Sequence, residues 1–125
     1  MDSRKTPGVI VDALAFRPDF IEKNPDAVAK IVQAWFEALD YHKKNPDEAN
    51  AIMAKFTKDT PESYKQHMEG VRFYGLQENK AYFGTREKPG ELYKVVERAL
   101  DLWMETKQIP KRVEPSSVID GSFIK

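Results

Sequence analysis

The apolar positions change their spacing once, near residue 17. From Gly8 to Phe16 the chain reads Gly-Val-Ile-Val-Asp-Ala-Leu-Ala-Phe, a short apolar run with its β-branched residues first, bounded by Pro7 and Pro18. Such a run predicts a buried strand over residues 9–17. Beyond it the apolar residues recur every three or four positions, the period of a helix with one packed face. Three helix starts share one device: Asn24-Pro25-Asp26, Asn45-Pro46-Asp47 and Thr60-Pro61-Glu62. Asn or Thr can cap free amides, Pro suits the first helical position, and the acid faces the positive end of the helix dipole.

The first long helix is expected from Pro25 to about Lys44, with Val28, Ile31, Val32, Trp35, Leu39 and His42 on its stripe. Lys43, Lys44 and the following Asn-Pro supply its stop. The second runs from Pro46 to about Phe56 with Ala49, Ile52, Met53 and Phe56 inward, and the third from Pro61 to about Tyr74, ending at Gly75. A short helix around Gln77 to Phe83 stops at Gly84. The last long helix, Gly90 to about Lys107, turns Leu92, Val95, Val96, Ala99, Leu100 and Trp103 inward. Ile109 to Lys125, with Pro110 and Pro115, reads as an irregular strap with one helical turn. The three capped starts lie at unequal spacings, which excludes a helical repeat array.

The expected architecture is therefore mainly α, one N-terminal β-strand followed by about five helices in a single domain or fragment. Residues 1–8 form an N-terminal segment, 9–17 a hinge-like strand, 18–107 a helical body and 108–125 a C-terminal strap.

Composition narrows the function classes. With 125 residues, 41% of them hydrophobic, and 20 basic against 20 acidic residues, the chain has material for one core and none of the net charge that keeps a disordered segment open. A balanced charge also argues against a nucleic-acid surface, which needs an excess of Lys and Arg. No apolar run approaches the roughly 20 residues of a membrane helix. Met1 to Pro7 lacks the apolar core of a secretory signal. The absence of Cys removes disulfides and thiolate chemistry.

Catalytic motifs are missing: no phosphate-cradling glycine loop, no His-Glu-x-x-His, no Gly-x-Ser-x-Gly. His42 and His67 fall on different helices without a ligand at metal spacing, so they read as surface or half-buried side chains. Neither a catalytic residue, a metal ligand nor a cofactor is nominated, and the chain reads as a non-enzyme. Trp35 and Trp103 fit the core better than a stacking platform. Asp12 interrupts an apolar run, where an unpartnered carboxylate would be costly to bury. Either strand alternation sends it to solvent, or it points into a cleft and binds a polar ligand. Gln77-Glu78-Asn79-Lys80, between two glycines, is either a solvated turn or a polar loop offering side chains for binding.

The string Val11-Asp12-Ala13-Leu14-Ala15-Phe16-Arg17-Pro18-Asp19-Phe20 is followed by Lys23-Asn24-Pro25-Asp26-Ala27-Val28 and Gln33-Ala34-Trp35-Phe36-Glu37-Ala38-Leu39-Asp40-Tyr41. Asn45-Pro46-Asp47-Glu48-Ala49, Ile52-Met53-Ala54, Glu78-Asn79-Lys80-Ala81-Tyr82-Phe83-Gly84, Leu102-Trp103 and Ile119-Asp120-x-Ser122-Phe123 come in order behind it. This series resembles the solute-binding proteins of nitrate, aliphatic-sulfonate, taurine and thiamine-precursor ABC importers, over nearly the whole chain. The resemblance implies the C-terminal portion of a periplasmic-binding-protein-like α/β fold whose full-length parent is periplasmic or extracytoplasmic, holds a small-molecule ligand and serves an ABC permease. It implies a ligand-binding position for Asp12, where taurine-type members present an acid, and places Glu78 and Asn79 near the cleft rim.

Two other classes share the sequence: a freestanding helical protein-interaction module, and an enzyme related to thiamine-precursor synthesis. A strand cut from a larger sheet leaves unpaired edges. The sequence thus also predicts a homodimer or swapped assembly through Val9 to Phe16.

Overall fold

The computed structural model describes residues 10–125. It is 62% helix, and strand pairing is confined to a single bridge, so the mainly α expectation holds. The helices are α1 (Pro18–Lys23), α2 (Pro25–Lys44), α3 (Pro46–Thr57), α4 (Pro61–Met68), α5 (Leu76–Phe83) and α6 (Glu91–Glu105), followed by a 3₁₀ turn at Pro115–Ser117. They form two compact units. One is Asp26–Leu76; the other joins the described part of Met1–Pro25 to Gln77–Lys125.

The predicted strand is absent from the described residues. Gly8 and Val9 lie outside them, and residues 10–17 are irregular, with Ile10 79%, Val11 42% and Leu14 51% exposed. A β-branched run becomes a strand only when a second strand takes its amides and carbonyls, and among the described residues the one bridge lies elsewhere, between Gly84 and Pro89. Immediately after it comes α1, a helix the sequence reading did not separate from the segment before Pro25. Pro18 occupies its first turn and Arg17 pairs with Asp19 at 2.9 Å. The Phe16 and Phe20 rings stack 6.2 Å apart.

In the unit Asp26–Leu76, α2 and α3 are joined by Asn45 alone. The expected Asn caps act in reverse here. Asn45 donates both its amide (2.8 Å) and its Nδ2 (3.3 Å) to Tyr41 O, and Asn24 does the same toward Phe20 O at 2.9 and 3.2 Å. With one residue between helices, the orphan carbonyls of the preceding helix lie nearest. Thr60 does cap as predicted, its Oγ accepting from the Ser63 amide at 3.2 Å.

Helix α3 packs on α4, and its buried positions are small residues. Ala49, Asn50 and Ala54 are buried and Met53 is half-buried; Tyr64 of α4 donates its hydroxyl to Met53 Sδ at 3.3 Å. Ile52 and Phe56, predicted inward, are 55% and 91% exposed. The helix turns its alanines inward in their place. On α2, Val28 is fully buried and Val32, Leu39 and His42 are half-buried, while Ile31 and Trp35 are each 42% exposed.

Helix α4 stops six residues earlier than predicted. The amides of Glu69, Gly70 and Val71 tighten onto carbonyls three residues back, and residues 71–75 leave the helix. Gly70 carries a high entropy cost in a helix. Phe73 then lies edge-on to both Trp35 (6.2 Å) and His42 (5.5 Å).

In the other unit, α5 ends at Gly84 (φ 66°), and residues 84–90 form a tight tip. Thr85 N–H donates to Lys88 O at 2.9 Å and Gly90 N–H to Phe83 O at 3.0 Å. A Cβ on Gly90 would sit 2.2 Å from Tyr82 O. Helix α6 buries Leu100, with Leu92, Val95, Val96 and Ala99 half-buried and Trp103, expected in the core, 47% exposed. The strap forms its one turn at buried Pro115, packs it on α6 and adds an Arg112–Asp101 ion pair. Gly121 meets the Phe83 ring.

Candidate functional site

The three nominated residues fall on two elements. Asp12 sits in the irregular segment 10–17 with its residue exposed, and no ion pair or hydrogen bond engages it among the described residues. Solvent therefore carries the carboxylate, and the cost of burial that drew attention to it in the sequence does not arise in this chain. Glu78 and Asn79 lie in α5, half-buried in its first turns, each with an interaction of its own. The polar run Gln77 to Lys80 is thus helical and not a loop. Consecutive positions on a helix diverge by about 100°, so Glu78 and Asn79 present to different directions.

Two polar clusters were not nominated from the sequence. The first surrounds the start of α4. Asp59 accepts from the Thr60 amide at 2.8 Å and from the Ser63 hydroxyl, and its Oδ2 lies 3.2 Å from His67 Nδ1. The Ser63 hydroxyl above all, then the Thr60 amide and the His67 charge, hold the Asp59 carboxyl below its usual range against the opposing effect of desolvation. A carboxylate on Nδ1 fixes the ring and leaves Nε2 outward, as in an acid–base dyad. Here the hydroxyl bonds to the carboxylate and not to the imidazole, so the arrangement closes a helix end and prepares no nucleophile.

The second cluster ties α2 to α3. His42 Nε2 lies 3.0 Å from Oδ1 of Asn50, which is 7% exposed. Next to it the Tyr41 hydroxyl is pushed up in pKa, first by its hydrogen bond to Glu48 and then by desolvation and the charge of that carboxylate. The signal for the His42–Asn50 pair was present in the sequence as a histidine on an apolar stripe, but its partner could be named only once α3 folded back. Among the described residues no three His, Asp or Glu side chains gather as a metal site, and no helix is long and apolar enough to cross a membrane.

No family model matches the chain, and neither the curated proteins nor the solved structures contain a significant match to it.

Proposed function

We propose that the chain is a segment of a substrate-binding protein of an ABC importer for a small organic or anionic solute, with sulfonate, taurine and nitrate as the ligand classes. The observation that carries this reading is the segment 10–16. Its β-branched apolar residues stand exposed without a strand partner, as expected of a strand belonging to a sheet whose other strands lie in the rest of a larger protein. The ordered series of similar segments from Val11 to Phe123 points to the same receptors. The periplasmic-binding-protein-like α/β fold is that of the parent, in which this chain supplies helices around the hinge.

In such a receptor no bond is made or broken. Ligand contacts that exist only in the closed form bias an equilibrium between open and closed lobes, and the permease reads the closed one. Asp12, on the hinge strand, would accept hydrogen bonds from an amine or other donor group of the ligand, with Glu78 and Asn79 at the cleft rim. A carboxylate there favours an amine-bearing solute over a bare anion, because like charges repel in a desolvated cleft.

The test is the reading frame upstream of Met1 in the source genome. A frame that continues into a leader and two α/β lobes supports the receptor. A start codon with its ribosome site at Met1 overturns it and favours a freestanding helical interaction module. In a full-length parent, Asp12→Asn is expected to weaken ligand binding about tenfold, the loss of one charge-assisted hydrogen bond. Unchanged binding in isothermal titration removes Asp12 from the site.

A further inference from the structure

Helix α6 carries more apolar surface than its own unit covers. At 3.6 residues per turn, Leu102, Val95, Ala99, Leu92, Trp103, Val96, Leu100, Tyr93 and Met104 occupy one continuous arc of about 200°, twice the stripe of an ordinary surface helix. Within that arc Leu100 is 4% exposed and Leu92, Tyr93 and Val96 are half-buried, while Trp103 at its middle and Met104 at its far end stay exposed. Its near flank is a shallow groove lined by Val95, Arg98, Ala99 and Leu102, spaced three, four and seven apart as in the seam of a helix pair. Leu102 and Trp103 beside it are 55% and 47% exposed.

The charges bordering this groove have a direction. After Glu91, which pairs with Lys94, come the bases Lys94 and Arg98 and then the acids Asp101 and Glu105, all on one side of the seam. When two copies of α6 pack antiparallel about a two-fold axis, each side of the seam meets the same side of the other copy. Centring the axis between Ala99 and Leu100 places Lys94 level with the partner's Glu105 and Arg98 level with the partner's Asp101. On the opposite side Val96 comes level with the partner's Trp103. A parallel pair would instead set this charged side against the apolar one. Small Ala99 at the crossing point allows close approach.

We infer that the near flank of α6 is a self-association surface, on which a second copy of the chain docks antiparallel through the Val95–Leu102 seam and the Lys94–Glu105 and Arg98–Asp101 pairs. The inference stands on α6 alone and goes beyond the receptor reading. Two existing pairs adapt to it. Lys94 leaves an exposed contact with Glu91 (2.9 Å), and Asp101, already paired with Arg112, becomes the shared acid between two arginines. One 15-residue helix offers less than the roughly 800 Å² per partner of a standard interface, so the dimer is weak.

The experiment is sedimentation equilibrium of the 125-residue chain up to several hundred micromolar, with a charge-swap pair. The acidic variant Lys94→Glu/Arg98→Glu and the basic variant Asp101→Lys/Glu105→Lys are each expected to dissociate about tenfold more readily than the parent chain. Mixed one to one, they are expected to form a heterodimer at least as tight as the parent dimer. Because the chain has no Cys, Ala99→Cys gives a second readout, a disulfide between copies under mild oxidation. A monomeric parent chain throughout that range overturns the inference. So does a dimer indifferent to both variants, or one lost only on replacing Ile10, Val11 and Leu14 by Ser, which would place the contact on the segment 10–16. Circular dichroism of each variant confirms that a lost dimer is not an unfolded chain.

Discussion

The hairpin of α3 and α4 and the region around α6 solve the problem of ending a helix in different ways. Around α4 the ends are closed by side chains: Thr60 on the Ser63 amide, Asp59 on the Thr60 amide and His67, Thr57 on the carbonyls of Met53 and Ala54, and Lys65 at 3.6 Å from Asp47. Around α6 backbone and a distant stretch of chain join the side chains: Gly84 and Gly90 cross at the tip, the strap folds back to bring Pro115 and Arg112, and Thr106 Oγ1 donates to Leu102 O at 2.7 Å. Side-chain closure is local, tolerant and sensitive to pH. Backbone closure is unforgiving, and at the tip it also holds a titrating group, because a backbone amide and the Thr85 hydroxyl keep the Glu87 carboxyl below its usual range. The apolar surfaces follow the same division, because α3 brings alanines to its partner, whereas α6 carries an arc wider than its neighbours cover.

The most damaging way to probe this contrast is Gly90→Ala. The new Cβ would meet Tyr82 O at 2.2 Å, with no flexible side chain to give way, and a loss of about 3 kcal/mol is expected in urea unfolding. A loss below about 1 kcal/mol would mean that the tip is closed by something other than the glycine crossing. Next comes Asn50→Ala, which leaves His42 facing a buried gap. It should cost about 2 kcal/mol, and His42→Ala on the same background should add little, because the two act as one unit. Full additivity would show that the 3.0 Å pair carries no coupling. Thr60→Ala removes one cap, for about 1 kcal/mol.

The pH response sharpens the contrast without a large magnitude. The Asp59 carboxyl titrates lower folded than unfolded, so its stabilisation is fully present above its unfolded value near 4. It is lost as the pH falls through the depressed folded value. Stability followed from pH 5 to 2 should fall less steeply in Asp59→Asn than in the parent chain. Identical slopes would remove Asp59 as a contributor. The smallest effect belongs to Phe56→Ala, at a residue 91% exposed, expected within about 0.5 kcal/mol.

What could be read in the sequence was whatever the chain decides within a turn or two. The starts at Pro25, Pro46 and Pro61 and the stops at Lys44 and Gly84 all follow from Pro, Gly and the residues beside them, and the strap's one turn, not placed in advance, falls at Pro115. The strand over 9–17 was not decidable in that way, since pairing depends on residues far along the chain or outside it. Ile52 and Phe56 were assigned inward by hydrophobicity, but the buried positions of α3 are Ala49, Asn50 and Ala54. The end of α4 was missed because Tyr74 continues its period while Phe73 is drawn to Trp35 and His42. Of the candidate site, Asp12 was left between solvent and a cleft, and in the described residues it stands exposed on an irregular segment and not on a strand. Glu78 and Asn79 sit on a helix because the short α5, seen correctly from Gln77 to Phe83, outweighs the flanking glycines as a loop signal. The Asp59–His67 contact spans eight positions, two turns of helix, and no pattern of neighbours at three or four would reveal it.

The single-residue joint at Asn45 bears on how this chain can change over evolutionary time. Both donors of that residue are committed to Tyr41 O, so the elbow has no slack. One extra residue there would rotate α3 by about 100° and swing Asn50 away from His42. Substitutions can accumulate along both helices, but descendants of this sequence should hold the length between Lys44 and Pro46 fixed. Insertions are accommodated far more readily at the exposed Arg86–Glu87 tip, where the crossing below it has already closed the chain.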